Sequence, residues 1–162
     1  MIPGTKGLEH RIGGLEKQNE TGNVSYDSLN HEVMTKLRAE KVAKIADFIP
    51  LAKPDSGKDK AKVLVLGWGS THGAIKTAVL ELIEEGYDVA HVHIRHLNPF
   101  PKNLGELLHN YDRILVPEMN CGQLLQLIKS KYLLPAIGMS KVQGMPFTTE
   151  EIKNKIIEVH NA

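Results

Sequence analysis

An α/β domain with a largely parallel sheet is the fold class this sequence predicts, on three observations. From residue 62 onward, short apolar runs alternate four times with stretches of helical period. The first run, Leu64-Val65-Leu66, passes into a glycine-rich turn, Gly67-Trp68-Gly69-Ser70-Thr71-His72-Gly73, that opens an amphipathic helix. The chain has 162 residues, 41% of them hydrophobic, enough for one buried core and an appendage.

Taken in order, residues 1–27 are rich in Gly, Asn, Thr and charge with no sustained period, and are expected to form an irregular arm that needs a neighbour for order. Met34, Leu37, Val42, Ile45 and Phe48 fall at roughly helical spacing among good helix formers, so a helix is expected over 30–48, stopped by Pro50. Pro54, Asp55, Ser56, Gly57 and several lysines make 50–60 a surface linker. The organisation is then an arm (1–27), a helix with linker (28–60) and a core (61–162). Strands are expected at 62–67, 88–94, 113–117 and 135–138. Ser70 is the expected N-cap of a helix that buries Ile75, Ala78, Val79, Leu82 and Ile83 and stops at Gly86. Further helices are expected over 103–110 and 122–132. Thr148 and Glu151 have capping-box spacing ahead of a last helix carrying Ile152, Ile156 and Val159.

Charge and cysteine usage exclude several functions. A formal charge of +1 creates no long-range field for nucleic acid or an anionic membrane, so neither is an expected partner. No apolar run approaches the roughly 20 residues that span a bilayer, and a cytoplasmic location is the expectation. The single Cys121 excludes an internal disulfide and a cysteine-ligated iron–sulfur cluster within this chain. Its ordinary reading is a small buried hydrophobe, against the alternative of a thiol activated beside a helix start.

Candidate site residues gather where strands end. Gly67, Gly69 and Ser70 open a helix whose free N–H groups suit an anion. The turn lacks the lysine of a P-loop, and G-x-G-x-x-x-G with Trp68 inside it departs from the dinucleotide fingerprint. Asn98-Pro99-Phe100-Pro101 is a rigid turn after the second strand, and Glu118 and Asn120 follow the third. These six positions, Gly67, Gly69, Ser70, Asn98, Glu118 and Asn120, form either a cofactor-binding edge or an interface with another domain. His91, His93 and Arg95 alternate along one strand face; the two histidines are a metal half-site with no third ligand at a fixed spacing. A polar strand face or subunit contact is the ordinary reading, and no metal is assigned.

Long ordered motifs then carry a resemblance. Gly67-Trp68-Gly69-Ser70-Thr71 with Gly73-Ala74-Ile75-Lys76, Leu97-Asn98-Pro99-Phe100-Pro101-Lys102-Asn103-Leu104, and Val116-Pro117-Glu118-Met119-Asn120 with Gly122-Gln123-Leu124 resemble the alpha subunit of 2-oxoacid:ferredoxin oxidoreductases. Two flanking segments match as well. Gly4-Thr5-Lys6-Gly7-Leu8-Glu9-His10-Arg11-Ile12-Gly13-Gly14-Leu15-Glu16-Lys17 is similar to the stretch entering the family's core domain II, in the longer form of the 2-oxoglutarate enzymes, and Val142-Gln143-Gly144-Met145-Pro146-Phe147 is similar to its closing motif.

The resemblance implies a three-layer α/β/α sandwich like the C-terminal domain of transketolase, working as scaffold and subunit contact. It also implies that the chain is a C-terminal fragment of a longer subunit. The family's threonine-bearing Y-P-I-T-P motif and substrate-carboxylate arginine belong upstream, and its Gly-Asp-Gly diphosphate motif belongs to a beta subunit; none of them maps onto this sequence. No catalytic residue and no bound cofactor is therefore expected here. The whole enzyme would carry thiamine diphosphate, Mg and an iron–sulfur cluster, use coenzyme A as substrate and pass electrons to ferredoxin. Partners would be the upstream pyrimidine-binding domain and the beta subunit, with contacts between copies of the chain as a further expectation. Two other readings stand beside this one. In an NADP-binding Rossmann-like domain, Gly67, Gly69 and Gly73 would meet the pyrophosphate, and Arg95 with His96 the 2′-phosphate. The other is a stand-alone small binding module.

Overall fold

Strands β1 (Ala61–Trp68), β2 (Val89–Ile94), β3 (Tyr111–Glu118) and β4 (Ile137–Ser140) form one parallel sheet in the order β2-β1-β3-β4. The computed structural model describes residues 2, 4–9 and 12–162, so His10 and Arg11 of the N-terminal motif lie outside the described residues. The helices are α1 (Ser28–Ala43), α2 (His72–Glu84), α3 (Leu104–Leu108), α4 (Gln123–Tyr132) and α5 (Thr149–Asn161). Two compact units are present, Met1–Phe48 and Ile49–Ala162.

β1 is buried on both faces, which is why it reads as a continuous apolar run rather than an alternation. Leu64 and Leu66 pack with Val92, Ile114 and Val116 against Leu104 and Leu108 of α3 and Leu124 and Ile128 of α4. Val63, Val65 and Leu115 meet Ile75, Val79 and Leu82 of α2 and Ile152, Ile156 and Val159 of α5 on the opposite face. The result is the expected three-layer α/β/α arrangement. Each such fully buried aliphatic side chain contributes roughly 1.5–3 kcal/mol.

Local signals end the helices as anticipated in two places. Gly86, at φ +90°, closes α2: its N–H donates to Ile83 O and the Tyr87 N–H to Leu82 O, a Schellman pair. The α5 capping box forms in both directions, Glu151 N donating to Thr148 Oγ1 at 3.1 Å and Thr148 N to Glu151 Oε2 at 2.8 Å. Lys141 Nζ reaches both Glu151 oxygens at 2.8 Å and holds that carboxyl below its ordinary range.

Four expectations are corrected. Ser70 does not cap α2; a single 3₁₀ turn, Gly69–Thr71, intervenes, and Thr71 Oγ1 closes it by donating to Trp68 O at 2.8 Å and accepting from Trp68 N at 3.3 Å. Ile83 sits at the rim of the α2 face, 36% exposed, because the buried stripe ends with Leu82. The regular part of α1 ends at Ala43, and Lys44–Asp47 is 3₁₀. Residues 50–60 lie mostly at the surface but are more than a linker: Asp55 N and His91 N donate across the β2 edge to His91 O and Ser56 O at 2.8 Å each, and Asn103 clasps Ala52 through both its amide atoms. The unpaired backbone edge of β2 supplies partners that composition does not reveal.

In the N-terminal unit, polar contacts supply order where apolar ones were thought too few. Lys17 and Val24 pair antiparallel around a tight turn. Glu16 accepts from Arg38 at 3.0 and 3.2 Å and contacts His31 Nδ1 at 2.7 Å, which holds its carboxyl down at about 2. Asp27 caps α1 by accepting from Asn30 N at 2.6 Å. The apolar stripe foreseen over 30–48 is largely uncovered: no α1 residue is buried, Leu37 is 42% exposed and Phe48, beyond the helix, 87%; Leu29 at the start of α1 is 71% exposed.

Gly57 joins the segment before β1 to the sheet edge. Its φ is +84°, and a Cβ there would stand 2.5 Å from Val89 O and 2.7 Å from Ala90 Cα. Gly69 has φ +59° with open space beside it. Gly57→Ala is therefore expected to lower the unfolding free energy by about 3 kcal/mol or more and Gly69→Ala by only about 1 kcal/mol, as read by chemical denaturation.

Candidate functional site

The sheet order places a topological switch point between β1 and β3. The chain leaves β1 towards the α2 face and β3 towards the α4 face, so the two loops diverge at the carboxyl edge, where open α/β sheets leave a crevice. A shallow cleft of about 300 Å³ lies there, lined by Trp68, Gly69, Ser70, Thr71, Met119 and Asn120. Three of the six candidate residues, Gly69, Ser70 and Asn120, are thus brought together. Ser70 Oγ points across it to Met119 Sδ at 3.8 Å.

Glu118 lies behind this cleft, 1% exposed. Its Oε1 accepts from Trp68 Nε1 at 3.2 Å, Asn120 Nδ2 at 3.2 Å and Leu124 N at 2.8 Å, and its Oε2 from Leu125 N at 3.0 Å. Leu124 and Leu125 are in the first turn of α4, so the carboxylate satisfies N–H groups that the helix itself leaves free and meets the positive end of its dipole. Asn120 Oδ1 extends the same work by accepting from Gly122 N at 2.8 Å and Gln123 N at 3.1 Å. Both polar residues are engaged in building the loop.

The remaining candidates sit apart. Asn98 is joined to Pro99 by a cis peptide bond and does not line the cleft. Gly67 lies within β1, and a Cβ on it would come 2.6 Å from Ile75 Cδ1 and 3.3 Å from both His91 Nε2 and His93 Nδ1. Its missing side chain makes room for two imidazoles, not for a pyrophosphate. Arg95 and His96 border a separate cleft of about 270 Å³ with Leu51, Lys53, Asp55 and His93. Cys121 is exposed, contrary to the buried reading, because it stands in the loop between β3 and α4 while Leu124 takes the core position.

On the α2 face the fold adds partners to the histidines that sequence spacing could not connect. Asp55, from the segment before β1, places its Oδ2 2.7 Å from His72 Nε2, 3.8 Å from Lys76 Nζ and 4.0 Å from His91 Nδ1. The His72 ring holds the Asp55 carboxyl below its ordinary range. His91 is fully buried, and that burial pushes its pKa down to about 4; His93 is lowered for the same reason. Among the described residues, both ring nitrogens of His91 and Nδ1 of His93 have no hydrogen-bond partner. A buried polar group left so costs about 1–3 kcal/mol. The sequence showed the His-x-His half of this cluster; Asp55 and His72 carry no signal at fixed spacing.

The groups implied by resemblance do not fit the described residues. One exposed cysteine cannot ligate an iron–sulfur cluster. The buried acid at the sheet edge, Glu118, has its oxygens committed to four N–H donors and offers none to a magnesium diphosphate.

Comparison with known proteins is consistent across sequence and structure. The family model described as pyruvate:ferredoxin oxidoreductase core domain II matches residues 61–156. The 2-oxoglutarate oxidoreductase subunit KorA of Mycobacterium tuberculosis is 46% identical over 151 residues, spanning 93% of this chain and 23% of that subunit. A solved 2-oxoglutarate:ferredoxin oxidoreductase from Magnetococcus marinus, with 2-oxoglutarate, coenzyme A and succinyl-CoA bound, superimposes with a TM-score of 0.88 at 32% identity over 98% of this chain and 28% of that one. A split-gene transketolase, described as an inactive beta4 tetramer, shares the fold at a TM-score of 0.50 and 17% identity over 63% of this chain and 39% of its own. The chain spans about a quarter of the length of the first two relatives.

Glu118→Gln tests the role of the buried acid. The variant brings an NH₂ against N–H donors, and is expected to lose about 2 kcal/mol of stability and to speed hydrogen exchange at the Leu124 and Leu125 amides. Denaturation and exchange-rate measurements read the two effects separately.

Proposed function

The chain belongs to the pyruvate:ferredoxin oxidoreductase core domain II family, and from that membership we propose that it serves as scaffold and subunit-contact domain of the alpha subunit of a 2-oxoglutarate:ferredoxin oxidoreductase. The observation that carries the choice of substrate is the 46% identity with a 2-oxoglutarate oxidoreductase subunit over 93% of this chain. The whole enzyme, in the cytoplasm, decarboxylates the 2-oxoacid on thiamine diphosphate held with Mg at an upstream pyrimidine-binding domain and a beta subunit. It passes two electrons through an iron–sulfur cluster to ferredoxin and transfers the acyl group to coenzyme A. Thiamine supplies the carbanion chemistry, and protein supplies orientation and electrostatics.

Two features support a contact role for this region. Glu118 and Asn120, the polar groups best placed at the strand ends, hold their own loop rather than face outward. Leu29 and Phe48 expose apolar surface that a neighbouring domain or subunit would cover.

The isolated chain is expected to bind no thiamine diphosphate in calorimetry and to oxidise no 2-oxoacid; micromolar binding by this chain alone would overturn the assignment. In the full alpha–beta enzyme, Leu29→Asp with Phe48→Asp is expected to reduce recovery of assembled complex severalfold on size-exclusion chromatography. Turnover per assembled site should stay within about twofold of wild type. Full assembly with lost turnover would instead place these residues at the active centre.

A further inference from the structure

We propose that Asp55, His72 and His91 bind a divalent first-row transition-metal ion that clamps the segment ahead of β1 to the start of α2 and to the outer strand β2. One donor atom from each of the three lies within 4.8 Å of the others. The known separations are 2.7 Å from His72 Nε2 to Asp55 Oδ2 and 4.0 Å from His91 Nδ1 to the same oxygen. A tetrahedral zinc ion with bonds of about 2.0–2.2 Å keeps its donors about 3.3 Å apart. The cluster brackets that spacing from both sides, so the shortest pair opens and the wider ones close by about an ångström or less to about 1.5 Å on loading. Two imidazoles and one carboxylate are a common donor set for zinc and for iron(II), and they leave a coordination position open.

The second observation is His91 itself. It is 0% exposed, and neither ring nitrogen has a hydrogen-bond partner, although Nδ1 is turned towards the Asp55 carboxylate. A buried imidazole that gives up water on both sides and gains nothing is rare in folded proteins. A metal ion on Nδ1 supplies the missing partner. Among the described residues the neighbouring His93 Nδ1 is orphaned as well, and its ring stands 4.6 Å from that of His72. Gly67 is what admits both strand histidines to this space.

The charges facing the site are few. Asp55 comes from the segment before β1, His72 and Lys76 from α2, His91 and His93 from β2, and Arg95 from the position just after that strand. Lys76, 3.8 Å from Asp55 and half exposed, stands where it balances the carboxylate in the metal-free protein, and its flexible stem lets it swing into solvent when a cation enters. Because the three ligands come from three separate elements, occupancy stabilises the folded state by linkage.

The experiment uses the full chain, stripped with a chelator and titrated at neutral pH with Zn²⁺ by calorimetry and with Co²⁺ by visible absorption. One equivalent should bind with a dissociation constant on the order of 1 μM or tighter, raise the unfolding midpoint by several degrees and give cobalt d–d bands of low symmetry. Asp55→Asn and His72→Ala, both at partly exposed positions, keep the metal-free midpoint near wild type and weaken Zn²⁺ binding at least about tenfold. His109→Ala, at an exposed histidine far along the chain, changes neither. Absence of stoichiometric binding overturns the proposal, as does binding that survives both ligand variants or falls equally in His109→Ala.

Discussion

Burial of β1 on both faces is the constraint on which the rest of this structure depends. With Val63, Leu64, Val65 and Leu66 all inaccessible, the strand must be covered on either side, and its two neighbours run parallel to it, which places helical crossovers on both faces. The crossings to α2 on one face and to α3 and α4 on the other then force the loops after β1 and β3 apart at the carboxyl edge. A crevice at that edge is a consequence of topology, before any residue in it is chosen.

What fills the edge is decided by the buried carboxylate of Glu118. A carboxyl group inside a protein is tolerated only when hydrogen bonds replace its water. Here the indole of Trp68, the amide of Asn120 and two backbone N–H groups at the start of α4 do so. The same contacts tie the loop after β1 to the loop after β3. The residues that looked most like ligand groups are therefore the ones that keep the two loops in register.

The α2 face follows a different logic. Polar side chains there are incompletely satisfied: among the described residues His91 has no hydrogen-bond partner, His93 Nδ1 has none either, and Asp55 divides itself between His72 and Lys76. An apolar residue at position 91 would fit a sheet interior with less loss, since Val89 and Val65 beside it are aliphatic. Retaining two histidines and removing a side chain at Gly67 to admit them is a local departure from efficient packing. Such departures concentrate where a fold does more than hold itself together.

The first three strands, α2 and α5 were legible in the sequence because their determinants are local: apolar runs, a 3.6-residue stripe, Gly86 at φ +90° and the Thr148–Glu151 box act within a few residues of one another, whereas the fourth strand, expected at 135–138, forms two residues later at Ile137–Ser140. Family membership was legible for the same reason, since its motifs are contiguous words at the strand ends. Tertiary structure alone decided the rest. Whether Glu118 faced a ligand or its own loop depended on Trp68 arriving from another strand. Whether residues 50–60 were a linker depended on an edge of β2 that offers its backbone to them. The Asp55–His72–His91 cluster depended on three elements converging, and no spacing along a chain encodes a distance across a sheet.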